Sequence, residues 1–288
     1  MKKEMKIEVD LENIKFKVIT NEGTKCGFCN KKLNPVGLDY LYANVDPNTI
    51  EYERCDCSKA IDFWKKHDLK LKQEEQQKRY IEIINKIYKD GFIKKKLKYC
   101  NFLNYDNFMY NIKALETMID YTHLCIEMKA KDGVIIYGDI GCDNTHLAAS
   151  IANEIIRNNK IALMERASSI TDKIKETFNK DIITESEIIE LFSNVDMLII
   201  DDLGSETISK WALEKLYRII NNRYENELPI VITTRYTREE LMEKIAIENK
   251  ELAEQFIQIL YKMCYGISLV SNNINTKEES NISYKNKC

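Results

Sequence analysis

The sequence has few of the residues that interrupt regular structure. Of its 288 residues, only 3 are proline and 9 are glycine. Proline breaks helices by removing a backbone donor and clashing with the preceding turn, so its scarcity favours helices throughout the chain. The same low counts exclude collagen-like and proline-rich disordered proteins. With 44% apolar and 31% charged residues, the chain has the composition of a globular protein with a sizeable core.

Long apolar runs and a strong charge of one sign are also absent. No segment approaches the ~18 consecutive apolar residues of a membrane span. The charged start Met1–Glu4 is not followed by the apolar segment of a secretory signal. We therefore expect a cytoplasmic protein without a membrane partner. The net charge of −3 excludes a uniformly basic nucleic-acid binder but leaves room for a local basic patch.

Four of the nine cysteines form two close pairs near the start of the chain. Cys26 and Cys29 make a C-x₂-C pair, and Cys55 and Cys57 make a C-x-C pair. In a reducing compartment clustered thiols are typical metal ligands, and four thiolates in two pairs suit tetrahedral Zn²⁺. The alternatives are four incidental cysteines or one redox-active pair. The pattern predicts a structural zinc site in a small module over residues 1–60.

The charged segment after this module predicts a helical linker over residues 61–103. Apolar residues recur there at helical spacing, as at Ile81 and Ile84, and the segment ends in the basic run Lys94–Lys98. This run is interpreted either as a contact to DNA phosphates or as a solvated face. At the other end of the chain, residues 271–288 are rich in Asn, Lys and Ser, which predicts a disordered tail.

Residues 104–270 alternate between short apolar runs and segments with helical patterning. The predicted strands lie at 134–137, 161–164, 197–200, 229–233 and 265–270. The predicted helices lie at about 107–129, 145–158, 168–178, 184–193 and 208–225. Short apolar strands that alternate with helices indicate an α/β fold, in which helices cover both faces of a parallel sheet.

The turn after the first strand has the position and part of the sequence of a phosphate-binding loop, G-x-x-x-x-G-K-[ST]. Backbone N–H groups of such a loop hold phosphate oxygens, its lysine reaches the β- and γ-phosphates, and its hydroxyl holds Mg²⁺. The second glycine is replaced by Asp143 and the lysine by Asn144. The predicted nucleotide-binding residues here are Gly138, Asp139, Ile140, Gly141, Cys142, Asp143, Asn144, Thr145 and His146.

Both replacements oppose ATP binding. Asp143 brings negative charge close to the phosphates, and Asn144 cannot make the charge-assisted hydrogen bond of a lysine, which is worth roughly 1.5–3 kcal/mol. By itself the turn could be an ordinary glycine-containing connection. However, Asp201 and Asp202 follow a later strand, where P-loop proteins place the acids that hold Mg²⁺ and polarise the attacking water. We therefore predict Thr145 and Asp201 as magnesium ligands and Asp202 as a vestigial catalytic residue.

These segments resemble the DnaC/DnaI/IstB family of AAA+ ATPases, which are bacterial helicase loaders and transposition helpers. The resemblance covers about residues 100–270 and implies a RecA-like P-loop fold with ATP and Mg²⁺ as cofactors. Its most specific string is Asp-Asp-Leu-Gly-Ser-Glu at 201–206. The resemblance is carried by Tyr137–Gly141, Thr145–Glu154, Leu198–Glu206, Ile219–Tyr224 and Pro229–Thr234.

Two further positions depart from the family's pattern. Arg235 stands where the family has a sensor asparagine that orients the hydrolytic water. The segment 255–260 has no arginine where the family supplies an arginine finger to the neighbouring subunit. We therefore predict that ATP hydrolysis is impaired, and we leave ATP binding open. One hypothesis opposes this prediction: Arg235 at the nucleotide site partly replaces the missing lysine charge.

The resemblance implies a helicase-loader-like protein of DNA replication. Its partners would be a replicative DnaB-type helicase, which the zinc module would bind, together with single-stranded DNA and fellow subunits in a homo-oligomer. One alternative is an IstB-like transposition helper ATPase, although that group generally lacks a cysteine-rich module. The other is a phage or mobile-element pseudo-ATPase regulator that binds the replicative helicase.

Overall fold

The computed structural model describes two compact units, with a boundary after Arg79. None of the helices in the described part of the chain is long and apolar enough to cross a membrane. Predictions for other residues, including Asp139, Ile140 and most of the predicted tail, lie outside the described residues. The described residues are 25–36, 51–88, 93, 95–106, 108–138, 141–177, 183–271 and 282–283.

The first unit contains a short hairpin and the beginning of a long helix. Strand β1 (Pro35–Val36) pairs antiparallel with β2 (Glu51–Tyr52), and helix α1 spans Ser58–Ile87. The small core of this unit consists of Cys26, Cys55 and Ala60, with Leu33, Cys57 and Trp64 packed against it. Because cysteines make up much of this core, a bound metal ion would contribute much of its cohesion.

The second unit is built on a parallel sheet, which confirms the predicted α/β fold. The strands are β3 (Gly133–Tyr137), β4 (Ala162–Arg166), β5 (Met197–Asp201), β6 (Ile230–Thr234), β7 (Cys264–Ser268) and β8 (Ile282–Ser283). Their order in the sheet is β4-β5-β6-β3-β7-β8, and only the pairing of β7 with β8 is antiparallel. Strand β8 lies within the predicted disordered tail.

Helices cover both faces of this sheet. Alternate strand residues enter two different cores: Val134 and Ile136 pack with α2 and α3, whereas Ile135 packs with α4 to α8. A strand that is buried on both sides must be apolar throughout, which explains the continuous apolar runs in the sequence. The helices are α2 (Ile112–Ile126), α3 (Asn144–Arg157), α4 (Ala167–Glu176), α5 (Glu185–Asn194), α6 (Lys210–Glu225), α7 (Arg238–Ile245) and α8 (Lys250–Met263).

The helix predicted over 107–129 is shorter in the structure. Residues Phe108–Tyr110 form a 3₁₀ turn, and α2 begins only after Asn111. The side chain of Asn111 is buried; it donates to the Val270 carbonyl at 2.9 Å and accepts from the Val270 N–H at 2.8 Å. A helical pattern cannot reveal this restraint, because it comes from the chain after β7.

The basic run also departs from a continuous linker helix. Helix α1 ends at Ile87, and Lys95–Leu97 form a separate 3₁₀ turn. The side chain of Asn153 in α3 donates to the carbonyls of Leu97 and Cys100 at 2.9 and 2.8 Å. These hydrogen bonds hold the end of the predicted linker against α3.

Candidate functional sites

The predicted loop, the acidic pair and Arg235 meet at the carboxyl edge of the parallel sheet. Strands β5, β6 and β3 are neighbours, so the residues that follow them lie side by side. Residues from each of these segments line a cavity of about 450 Å³. The lining consists of Gly138, Gly141, Asp143, Asn144, Thr145, His146, Asp202, Thr233, Thr234 and Arg235, together with Lys96, Leu97 and Cys100.

Two threonine hydroxyls contact the acidic pair, one from the phosphate-loop motif and one from β6. Thr145, in the first turn of α3, donates to Asp201 Oδ1 at 2.8 Å, and Thr233 donates to the same oxygen at 2.7 Å. The Thr233 hydroxyl also accepts from the Asp202 N–H at 2.8 Å. The structure therefore brings together the two predicted magnesium ligands, Thr145 and Asp201. A hydroxyl beside a carboxylate supplies the oxygen ligands that Mg²⁺ prefers.

The backbone of the loop depends on two positions. A Cβ atom on Gly138 would lie 2.6 Å from the carbonyl oxygen of Leu269, so only glycine allows this close approach. Asp143 is in the left-handed region, with φ 57° and ψ 36°. Glycine adopts this conformation freely, and aspartate and asparagine tolerate it better than other side chains. Asp143 can therefore hold a glycine-type turn while it adds a carboxylate.

The carboxylate of Asp143 affects the ionisation of neighbouring side chains. Burial, and then the negative charge of Asp143, raise the pKa of the Tyr105 hydroxyl and of the Cys100 thiol. The Tyr105 hydroxyl donates to the carbonyl of Cys142 within the loop at 2.8 Å. Asp143 thus makes the potential more negative at the position where the motif predicts phosphate binding.

Asn144 links the loop to strand β6. Its Nδ2 donates to the carbonyls of Gly138 and Thr234 at 3.2 and 3.3 Å. Its Oδ1 is buried and has no hydrogen-bond partner among the described residues. The side chain therefore bridges two carbonyl groups, and it brings no positive charge to the place of the lysine in the motif.

Two arginines hold the second acid of the pair. Arg235 Nη2 lies 3.2 and 3.4 Å from the two carboxylate oxygens of Asp202. Arg166 Nη2 lies 3.7 Å from Asp202 Oδ2, and Arg166 Nη1 lies 3.5 Å from Glu206 Oε1. Arg166 is a site residue that the sequence motifs do not predict. Its position at the end of β4, paired in register with Asp201, is a signal that could have identified it.

His146 and Cys142 make contacts that join the loop and α3 to flanking segments. His146 Nε2 lies 2.9 Å from Asn104 Oδ1, and the Cys142 thiol is buried and donates to the Leu269 carbonyl at 3.4 Å. Of the two, His146 lines the cavity. Lys96 also lines it and is exposed, and the hydrogen bonds from Asn153 to the Leu97 and Cys100 carbonyls hold this segment beside α3.

The four paired cysteines meet in the first unit. Their Sγ atoms all lie within 4.8 Å of one another. Cys26 Sγ lies 3.9 Å from Cys57 Sγ, and Cys29 Sγ lies 3.5 Å from Cys55 Sγ. Four thiolates bound tetrahedrally at ~2.3 Å from one ion would be about 3.8 Å apart. The group therefore fits a tetrahedral metal site.

One thiol of this group ionises readily. Burial opposes ionisation of Cys26, but hydrogen bonds from the Phe28 and Cys29 backbones and from neighbouring thiols outweigh it, and its pKa falls to about 7. The Phe28 N–H lies 3.4 Å from Cys26 Sγ. Since metals bind the thiolate form, this environment favours metal binding at neutral pH.

Comparison with known proteins reveals relatives of the second unit. Residues 93–281 match the family model described as IstB-like ATP binding protein. The replicative helicase loader DnaC of Escherichia coli (strain K12) is 32% identical over 107 residues, which are 37% of this chain and 44% of DnaC. The replicative helicase loader DnaI of Bacillus subtilis (strain 168) is 19% identical over 227 residues, which are 76% of this chain and 67% of DnaI.

The solved structures agree on the fold. A crystal structure of DnaI superimposes with a TM-score of 0.52 at 22% identity, covering 62% of this chain and 95% of that one. At this identity the likeness shows the fold alone, a P-loop sheet with helices on both faces. The match to DnaC spans less than half of that relative's length, whereas the family model covers more than half of this chain. The chain therefore belongs to the IstB-like ATP-binding protein family, the AAA+ family of the helicase loaders DnaC and DnaI.

Proposed function

We propose that this chain is a helicase-loader-like protein of DNA replication, with an AAA+ domain that binds nucleotide and hydrolyses ATP poorly. The main support for this proposal is the length of the segment that aligns with DnaI. It covers 76% of this chain, which is more than the segment 93–281, and so it extends beyond the family domain. DnaI and DnaC are replicative helicase loaders, which supports a DnaB-type helicase as the partner of this chain.

The cysteine group supports a structural role for Zn²⁺ in this function. Four thiolates at tetrahedral spacing are typical of structural zinc, which keeps no open position for catalysis. The ion would stabilise a unit whose own core is small. We assign Cys26, Cys29, Cys55 and Cys57 as its ligands and the surrounding module as the part that contacts the helicase.

The second unit has the residues to hold a nucleotide with Mg²⁺. The first residues of α3 line the cavity, so their N–H groups would bind phosphate oxygens there, and Thr145 and Asp201 would hold the metal. Bound ATP would supply the phosphoryl group for transfer to water. The charge missing at Asn144, the engagement of Asp202 by arginines and the absence of arginine from 255–260 support weak hydrolysis.

A transposition helper is the second candidate function, favoured by the IstB-like description of the family. Such a protein would act with a transposase. The cysteine group argues for the loader, because it forms a separate module outside the segment that the family model matches. A third candidate, a mobile-element regulator, would bind the helicase without assisting its loading.

The decisive experiment combines the full chain with the replicative helicase of the same cell and with single-stranded DNA. We expect a stable complex in gel filtration and more helicase retained on the DNA when the chain is present. A complex without increased loading would favour the regulator. Binding to a transposase and none to the helicase would favour the transposition helper and contradict the loader.

A further inference from the structure

An ion pair lines the proposed nucleotide cavity. Arg235 and Asp202 both line the cavity and lie 3.2 Å apart, with side chains that are 40% and 20% exposed. Asp202 is fixed from two sides: its backbone is left-handed, with φ 55°, and its N–H donates to the Thr233 hydroxyl at 2.8 Å. These contacts fix the backbone of Asp202, and Arg235 and Arg166 hold its carboxylate.

This ion pair lies where a third phosphate would bind. Asp202 directly follows Asp201, whose carboxylate contacts Thr145 in the first turn of α3. In P-loop proteins this threonine and this acid hold Mg²⁺ between the β- and γ-phosphates, and the next acid faces the water that attacks the γ-phosphate. A γ-phosphate in this cavity would therefore lie beside the Asp202 carboxylate.

The loop lysine that usually balances a γ-phosphate is missing, and Arg235 is already paired. Asn144 is neutral and donates its amide to two carbonyls. The guanidinium of Arg235 directs Nη2 to both carboxylate oxygens of Asp202, so a γ-phosphate would have to share this positive charge with that carboxylate. The α- and β-phosphates would not need Arg235, because backbone N–H groups at the start of α3 would hold them.

We propose that the Arg235–Asp202 ion pair makes this site selective for a nucleoside diphosphate over a nucleoside triphosphate. The inference rests on the proposed nucleotide binding and names the ligand class of that site. A diphosphate leaves the ion pair intact. A triphosphate adds the negative charge of its γ-phosphate beside the Asp202 carboxylate and must share Arg235 with it, which costs free energy.

Substitutions of the two members of the pair should have opposite effects. Asp202→Asn removes the carboxylate, keeps a residue that tolerates the left-handed backbone, and frees Arg235 to contact a γ-phosphate. Its affinity for ATP should rise. Arg235→Ala leaves the carboxylate facing the γ-phosphate without this arginine, so its affinity for ATP should fall. The effect of each variant is measured as the ratio of its affinities for ATP and ADP, because a diphosphate would not contact the pair.

The test is a calorimetric titration of the full chain with ADP, ATP and a non-hydrolysable ATP analogue in excess Mg²⁺. We expect the unaltered chain to bind ADP about tenfold more tightly than the triphosphates, which corresponds to ~1.4 kcal/mol. The ratio should approach one in Asp202→Asn and should increase in Arg235→Ala. Arg157→Ala is the matched control, because it removes an exposed arginine of α3 that pairs with Glu154 at 2.9 Å.

Each outcome bears on the proposal. Equal affinities for ADP and ATP in the unaltered chain, or parallel changes for both nucleotides in the variants, would overturn the selectivity while nucleotide binding stands. If the unaltered chain binds neither nucleotide, the proposed nucleotide binding fails and this inference fails with it. Circular dichroism tests whether each variant is folded. If Asp202→Asn is unfolded, Asp202→Ser is used in its place, and Arg235→Gln likewise replaces an unfolded Arg235→Ala.

Discussion

At the scale of single residues, two replacements in the phosphate loop have different physical consequences. Asp143 keeps a left-handed turn and changes its charge, because a short polar side chain tolerates that conformation. Asn144 keeps a polar side chain at its position, but its amide is engaged by carbonyls of the loop and of β6. The loop therefore keeps its left-handed turn at Asp143 and lacks the positive charge of the motif's lysine.

Restoring the charge should strengthen triphosphate binding. We expect the double variant Asp143→Gly/Asn144→Lys to bind ATP at least tenfold more tightly, because a charge-assisted hydrogen bond worth roughly 1.5–3 kcal/mol is regained. Titration with ATP and Mg²⁺ measures the difference. Asp143→Gly alone should recover only the part of the ATP affinity that is lost through repulsion between the Asp143 carboxylate and the phosphates. If the unaltered chain binds ATP as tightly as the double variant, our interpretation of the loop is wrong.

The cysteine group can be tested one thiol at a time. Cys29→Ser removes one of the four ligands, and we expect the bound zinc to fall from about one ion per chain to well below that after dialysis. Mass spectrometry of the metal content provides the measurement. Cys125→Ala removes a buried thiol outside the group and should retain the metal. Loss of zinc from both variants, or from neither, would contradict the assignment.

At the scale of secondary-structure elements, a buried arginine joins α6 to the end of α5. Arg223 Nη1 donates to the carbonyls of Phe192, Ser193 and Val195 at 3.1, 3.3 and 2.9 Å. The last carbonyls of a helix have no partner within it, and a cation near them is favourable. Burial lowers the pKa of Arg223 to about 10, so it remains charged at neutral pH.

Replacing this arginine by lysine should destabilise the second unit. Lysine keeps the charge but lacks the planar group that reaches several carbonyls at once. We expect Arg223→Lys to lower the free energy of unfolding by about 2–4 kcal/mol, as measured by urea denaturation. Arg218→Lys alters an exposed arginine of the same helix and should change the free energy of unfolding by less than ~0.5 kcal/mol. Equal effects of the two variants would show that Arg223 has no special role.

At the scale of the whole molecule, the two proposed sites lie in different units. The cysteine group belongs to the unit that ends at Arg79, and the nucleotide cavity belongs to the unit that begins at Tyr80. The two activities should therefore respond to different substitutions. This arrangement suits an adaptor that contacts a partner with one unit and a nucleotide with the other.

Substitutions in one unit should leave the function of the other unchanged. We expect Cys29→Ser to reduce capture of the replicative helicase at least tenfold, while the affinity for ADP stays within about twofold. Conversely, Asp143→Gly/Asn144→Lys should change ATP binding and leave helicase capture intact. Affinity capture and nucleotide titration on the same preparations measure both. A loss of nucleotide binding in Cys29→Ser would contradict this independence.

Much of the fold could be predicted from local patterns. The predicted strands at 134–137 and 197–200 agree with β3 and β5 to within one residue at each end, because strands buried on both faces must be apolar throughout. The cysteine pairs likewise predicted a common site, and their sulfurs do converge. The predicted start of α2 is wrong, since the hydrogen bonds between Asn111 and Val270 join residues far apart in the chain.

For the nucleotide site, the sequence alone determined which chemical groups are present: a hydroxyl, two carboxylates, an added acid and no lysine in the loop. Only the tertiary structure decided how these groups are used. The side-by-side ends of β4, β5 and β6 place Arg166 and Arg235 against Asp202, and Asn153 brings Lys96 to the cavity. These contacts depend on the order of the strands in the sheet and on distant segments of chain, which no local pattern encodes.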